Sequence, residues 1–335
     1  MENCARIVNA AIGLALVVVL LGGWTRLNEA GLGCPDWPSC YGHFVLPGAD
    51  EVSTRIEPFF PGHQVDLKKG WIEMVHRYAA SLLGLLIIVQ SVWIWRTDVE
   101  KPLKVLSLGL VGLVIVQGLF GMWTVTLKLV PWVVTTHLLG GLATLTLLVR
   151  LRQRLKRAVN GDVVAGRDWS ARFLVTVLFA QIALGGWTSS NYAGWACEEW
   201  ISCHSVPGGQ YDFVQGFDLF QPVGPNYEGG LLPAPARSAI QVTHRLGALV
   251  LGLAIVVVGV RLYGLPSIRP WLYGVGALWF LQAVIGILNV IWLLPLPLAV
   301  SHHAMAVALL LATVGLYDRA YRREKEVYHG YLSTG

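Results

Sequence analysis

Eight apolar stretches, at approximately 7–25, 71–95, 104–123, 132–150, 171–189, 238–262, 271–293 and 299–318, each approach the length a helix needs to cross hydrocarbon. About 20 apolar residues are required, because each advances the helix by only about 1.5 Å. Inside a bilayer every backbone N–H and C=O has to be satisfied within the chain, so runs of this kind fold as helices. Composition agrees. Of 335 residues, 55% are hydrophobic and 13% charged, and the mean hydropathy is +0.57. That balance excludes an ordinary soluble domain and implies an all-α polytopic membrane protein with eight transmembrane helices. The first stretch occupies a signal peptide's position. However, only Arg6 precedes it, no small-residue cleavage site follows "LLGGWTRL", and the same pattern recurs mid-chain, so it is read as retained.

Lys and Arg in the short connections set the orientation. Arg96, Lys101 and Lys104 flank one turn, "RLRQRLKR" (150–157) with Arg167 and Arg172 another, and Arg261 and Arg269 a third. With Arg6 and the tail residues Arg319, Arg322, Arg323 and Lys325, these make up most of the 25 basic residues. That side is expected to be cytoplasmic, with both termini on it. Topology then explains the pI near 9.0, and no nucleic-acid partner is implied.

Two long loops, 26–70 and 190–237, fall on the outer side, and each holds one cysteine pair at the same spacing: "CPDWPSC" (Cys34, Cys40) and "CEEWISC" (Cys197, Cys203). An oxidising compartment favours one disulfide within each loop. A four-cysteine zinc site would need the loops to meet, and the pairs lack the usual short gaps. Cys4 stands alone on the cytoplasmic side, and no C-x-x-C-H is present for covalent haem attachment.

The chain also repeats itself. "GGWT" occurs at 22–25 and 185–188, and in each copy the first glycine lies twelve residues before a cysteine (Gly22 to Cys34, Gly185 to Cys197). "HRYAASLLGL" (76–85) matches "HRLGALVLGL" (244–253), and "QGLFGMWTV" (117–125) parallels "QAVIGILNV" (282–290). Gln117 lies twenty residues before His137, as Gln282 does before His302. Four helices per half return the chain to its starting side. The expectation is two four-helix bundles, parallel repeats related by an axis along the membrane normal. Residues 1–150 would form one, 171–335 the other with a cytoplasmic tail, and 151–170 a basic cytoplasmic linker.

The repeat sorts the histidines. His76 and His244 fall at the outer ends of the second and sixth stretches, His137 and His302 at those of the fourth and eighth. His303 points about 100° away from His302 around the helix and stands as the alternative to it. His43, His63, His204 and His329 lie in loops or the tail and are expected to be solvated. One membrane histidine could simply be an interhelical hydrogen-bonding group. Four at repeat-related positions fit cofactor positions between facing helices, and neutral imidazole is an axial ligand for haem iron. Zinc would want further ligands, and only Glu73 is near. Arg77 and Arg245 follow the histidines where a haem propionate would need a cation. Arg77 could equally pair with Glu73 at i,i+4, worth about 0.2–0.5 kcal/mol on an exposed helix. The halves differ at one position: Glu73-x-x-His76 against Gln241-x-x-His244. Both side chains form hydrogen bonds, and only the glutamate takes up a proton.

These motifs, "GGWTRLNEAGLGCPDWPSCYG", "EMVHR" and the four histidines, resemble the haem A synthase family of cytochrome oxidase assembly, over residues 7 to about 318. The resemblance implies an oxidoreductase that converts the C8 methyl group of haem O to the formyl group of haem A through a hydroxymethyl intermediate. It implies a substrate haem O on His76 and His137 of the N-terminal half, a b-type haem on His244 and His302 of the C-terminal half, and an essential glutamate at Glu73. It also matches the family's cysteine pairs to Cys34–Cys40 and Cys197–Cys203. A bacterial inner membrane, hand-over from a haem O synthase and contact with oxidase assembly factors are further expectations, and small residues along the first and fourth stretches could serve a homo-oligomer. Two other readings use the same histidines: a bis-histidine dihaem b-type electron-transfer protein, which leaves the Glu/Gln difference unexplained, and a haem carrier, which would more often show broken midplane helices.

Overall fold

The computed structural model describes residues 2–46, 48, 65–160, 169–197, 199, 203 and 211–332. Eight long helices account for most of them: α1 (Glu2–Leu27), α2 (Leu67–Arg96), α3 (Lys101–Thr126), α4 (Pro131–Asn160), α5 (Trp169–Ser190), α6 (Ala234–Leu262), α7 (Arg269–Ile291) and α8 (Leu296–Leu332). All eight are long and apolar enough to cross a membrane. Local chemistry sets their starts. The Asp66 carboxylate caps α2 by accepting from the Lys69 N–H at 3.0 Å. Proline stands in the first turn of α3, α6 and α7, where its missing N–H costs nothing. Large apolar side chains such as Ile115, Leu253 and Val260 remain exposed, as expected where lipid is the solvent.

The chain divides into two compact units. Unit 1 comprises Met1–Arg152 and Asp218–Leu231, and unit 2 comprises Gln153–Phe217 and Leu232–Gly335. In unit 1, α2 packs on α1 and α3. Gly121 of α3 faces His137 of α4, and Gly141 of α4 faces Val19 of α1, which closes the ring. A Ser91–Ser107 hydrogen bond of 3.3 Å ties α2 to α3 in the buried interior. In unit 2, α6 packs on α5 and α7, and α8 on α7 and α5, giving a closed four-helix bundle.

Two boundaries differ from the sequence reading. The basic segment expected as a linker from residue 151 begins as helix, because α4 runs on to Asn160; residues 161–168 lie outside the described residues. Arg157 there is buried and forms an ion pair with Asp318 of α8. The loop between α5 and α6 is also divided. Its 218–231 segment belongs to unit 1, held by the burial of Tyr227 among Leu129, Val130 and Val133.

Backbone conformation recurs at repeat-related positions. Glu29 and Tyr192 take left-handed φ values of 52° and 54° just past α1 and α5. Lys128 and Leu129 (50°, 61°) turn α3 into α4, as Leu293 and Leu294 (56°, 55°) turn α7 into α8. Each non-glycine residue in that region costs roughly 1–2 kcal/mol. Hydrogen bonds from Leu129 N–H to Thr124 O (2.8 Å) and from Leu294 N–H to Asn289 O (2.7 Å) offset it by capping the preceding helix.

Candidate functional site

In unit 1 the candidate site starts from small residues. A Cβ on Gly22 of α1 would stand 3.0 Å from Cε1 of His76, and one on Gly121 of α3 3.5 Å from Cε1 of His137. Both imidazoles therefore turn their Cε1 edge to a glycine of a neighbouring helix, and they are within electrostatic reach of each other. A Cβ on Gly140 would collide with the Gln117 amide, so α3 and α4 approach closely just below His137. The Nδ1 atoms of His76 and His137 are buried without a hydrogen-bond partner. The Val18 carbonyl lies near the His76 ring, outside good hydrogen-bond geometry.

Glu73, one turn before His76, is only 5% exposed. Its Oε2 accepts from the Cys34 backbone N–H at 2.9 Å, and its Oε1 pairs with the Arg77 guanidinium. Arg77 Nη1 also donates to three loop carbonyls, Asp36 (3.0 Å), Pro38 (3.2 Å) and Ser39 (2.6 Å). The loop that grips this pair is closed by a Cys34–Cys40 disulfide. Inside it, the Asp36 carboxylate accepts from the N–H groups of Tyr41 (2.6 Å) and Gly42 (2.9 Å) and from the Ser39 hydroxyl (2.5 Å). Gly33 lets the loop meet the first turn of α2, since a Cβ there would strike the Lys69–Gly70 backbone. Tyr41 is buried against Cys34, Cys40 and Met74. Its phenol is pushed up to about 12, first by burial and then by the charges of Asp66, Asp36 and Glu73.

Unit 2 carries the matching arrangement with different polar partners. Gly185 of α5 would place a Cβ 3.2 Å from Cε1 of His244, and Gly286 of α7 one 3.1 Å from Cε1 of His302. His302 and His244 are again within electrostatic reach. Of the adjacent pair, His302 is the one against Gly286. Its Nδ1 lacks a hydrogen-bond partner, with the Gln282 backbone nearby but out of geometry. The Gln181 amide nitrogen touches Nδ1 of His244 at 3.1 Å and donates to the His244 carbonyl at 3.0 Å, which orients that ring. Gln241, the counterpart of Glu73, is 5% exposed and its Oε1 has no partner. Arg245 Nη1 donates to the Glu199 carbonyl at 2.9 Å, and Cys197 is disulfide-bonded to Cys203.

Two half-buried imidazoles per unit match the two axial positions of a haem iron. No group of three or more His, Cys, Asp or Glu side chains that could chelate a bare ion occurs among the described residues. His43 is exposed; His63, His204 and the His329 side chain lie outside the described residues. Cys4 is free and buried.

Comparison with known proteins decides the family. The model of the family COX15-CtaA, described as cytochrome oxidase assembly protein, matches residues 5–314. The chain belongs to the cytochrome oxidase assembly protein family. Among similar members, the haem A synthase of Shewanella oneidensis is 41% identical over 302 residues, covering 89% of this chain and 91% of that protein. The haem A synthase of Caulobacter vibrioides is 31% identical over 346 residues, covering 94% of each. That of Bradyrhizobium diazoefficiens is 26% identical over 350 residues, covering 93% of this chain and 89% of that protein. For this member of the cytochrome oxidase assembly protein family, sequence reasoning singled out Glu73, Arg77, the histidines and the cysteine pairs. It missed the four glycines that face the histidines, although all four lie within the quoted repeat motifs. It also missed Asp36, Gln181 and the Cys34 N–H, the last being a backbone atom with no signature of its own.

Proposed function

We propose that this chain is a haem A synthase, a membrane oxidoreductase that converts the C8 methyl group of haem O to the formyl group of haem A through a hydroxymethyl intermediate, for cytochrome c oxidase assembly. The observation that carries the reading is the difference between the units. A buried carboxylate, Glu73, stands one turn from His76, and a buried amide, Gln241, one turn from His244. Oxidising the methyl carbon releases protons at each step, and a carboxylate can accept them where an amide cannot. Unit 1 is therefore the substrate half. His76 and His137 hold haem O, and Glu73 serves as base or proton relay. The Cys34 N–H and the Arg77 guanidinium each hold one of its oxygens and so fix its direction. Arg77 acts through Glu73 and the loop, so Arg245 is the better candidate for a propionate contact.

Unit 2 is the half for a b-type haem on His244 and His302. The fit rests on the partnerless Nδ1 of His302, the Gln181 contact that orients His244, and the glycines that leave each ring its place. When bound, that haem supplies one-electron redox chemistry. We place both long loops outside a bacterial inner membrane and both termini inside, because the basic residues gather at the opposite helix ends.

The test is haem extraction and chromatography from cells that make haem O, with and without this protein. Haem A is expected with the wild type. Glu73→Gln is expected to retain bound haem and yield none of the product. Recovery of haems B and O alone from wild-type cells would replace this reading with the electron-transfer or carrier one.

A further inference from the structure

The loop between α5 and α6 supplies unit 1 with a segment that the proposed reaction has not used. Residues 218–231 pack on the end of the unit that carries Cys34 and Glu73. Tyr227 is 4% exposed, wedged on Leu129, Val130 and Val133, and its N–H donates to the Lys128 carbonyl at 3.1 Å. Its neighbour Glu228 reaches Lys69 in the first turn of α2 at 3.5 Å. Val133 lies four residues before His137, and Lys69 four before Glu73, so both anchors sit one turn, about 6 Å, outside the site residues. Two consecutive residues thus join the outer ends of the helices that carry His76 and His137.

The segment holds a shape of its own between glycines. Its Tyr227 hydroxyl donates to the Pro222 carbonyl at 2.7 Å, and Gly230 N–H donates to the Tyr227 carbonyl at 3.0 Å, so it is folded on itself. Glycines bracket the anchor at Gly224 (φ 125°), Gly229 (82°) and Gly230 (83°). Nothing crowds Gly224 or Gly229, so backbone conformation and not packing demands glycine there. At the matching turn of unit 2, Trp292 is 58% and Leu293 62% exposed.

We propose that residues 218–231 are a hinged strap that closes the mouth of the unit 1 site over its porphyrin, with Tyr227 as the main anchor and the Glu228–Lys69 pair as a weaker one. The inference rests on the reading of unit 1 as a haem site. It also fits the different tasks proposed for the two units. A substrate has to enter and a product leave unit 1, whereas a resident group in unit 2 stays.

The experiment loads the detergent-solubilised full chain with haem B, adds excess apomyoglobin, and follows haem release by the Soret shift. Wild type is expected to release in two phases, and His76→Ala identifies the unit 1 phase by abolishing it. Tyr227→Ala is expected to speed that phase about tenfold or more and leave the other unchanged, while Tyr227→Phe, which keeps the buried ring and loses the bond to Pro222, falls between the two. Glu228→Lys, at an exposed position that leaves the bundle core intact, is expected to speed the same phase about two- to fivefold, with Lys69→Glu in the same chain restoring it. A His76-dependent phase that ignores both anchors, or equal acceleration of both phases, overturns the strap alone. The absence of any His76-dependent phase overturns the haem reading of unit 1 and the strap with it.

Discussion

A Cβ on Gly22 would stand 3.0 Å from the His76 ring and one on Gly185 3.2 Å from the His244 ring, so neither position takes a branched side chain without turning the imidazole. Gly185→Val is therefore expected to lower bound haem at least by about half, read as the pyridine haemochrome of the purified protein. Gly13→Val, in α1 where nothing lies within 4 Å, is the control that should leave it unchanged. The histidines themselves were legible because a repeat isolates them from the other five. Their glycines were not, since an interhelical contact leaves no periodic mark on either helix. Tyr41 adds a pH dependence at the same scale. An ordinary phenol ionises near about 10, and burial with nearby carboxylates pushes this one up to about 12. Below pH 10 the loop keeps its full stability. Between the two values an opened loop gives up the proton and the closed loop retains it, so the closed form weakens as pH rises. Tyrosinate absorbance should show one late-titrating phenol in the wild type that is missing in Tyr41→Phe.

The element that matters most is the disulfide loop on α2. The i,i+4 pairing of Glu73 with Arg77 could be read from spacing alone, and on an exposed helix it would contribute little. Here Glu73 is buried and Arg77 nearly so, and the same guanidinium collects the carbonyls of Asp36, Pro38 and Ser39. Carbonyls carry no residue signature, which is why this half of the contact was not legible. Removing one partner of a buried charge pair costs about 3–5 kcal/mol. Arg77→Ala should therefore release the loop, seen as faster hydrogen exchange at the Cys34 and Tyr41 amides. Arg77→Lys keeps the charge and loses the planar fork, so its exchange should fall between the two.

At the scale of the whole chain, the eight helices were legible because hydrocarbon thickness sets their minimum length and little else competes. Their ends were less so. Hydropathy stops at about residue 150, whereas α4 continues through nearly three polar turns to Asn160, and Arg157 in them finds Asp318 on α8. Both are buried, and Asp318→Ala is expected to destabilise the purified protein by about 3–5 kcal/mol, read as a lower thermal midpoint. Arg157→Met with Asp318→Leu should recover most of it, since an apolar pair of similar volume avoids the desolvation of two charges. The division of the α5–α6 loop was the part no pattern announced, because the burial of one tyrosine far along the chain decides it.

That division has a consequence for biosynthesis. A ribosome completes the helical part of unit 1 at Arg152, and the segment that covers it begins only at Asp218. During the interval α5 has to be inserted while the first unit's mouth still lacks its own chain above it. The nascent protein thus passes through an uncapped stage that the finished one leaves behind, and a chain cut short before Asp218 would remain in it.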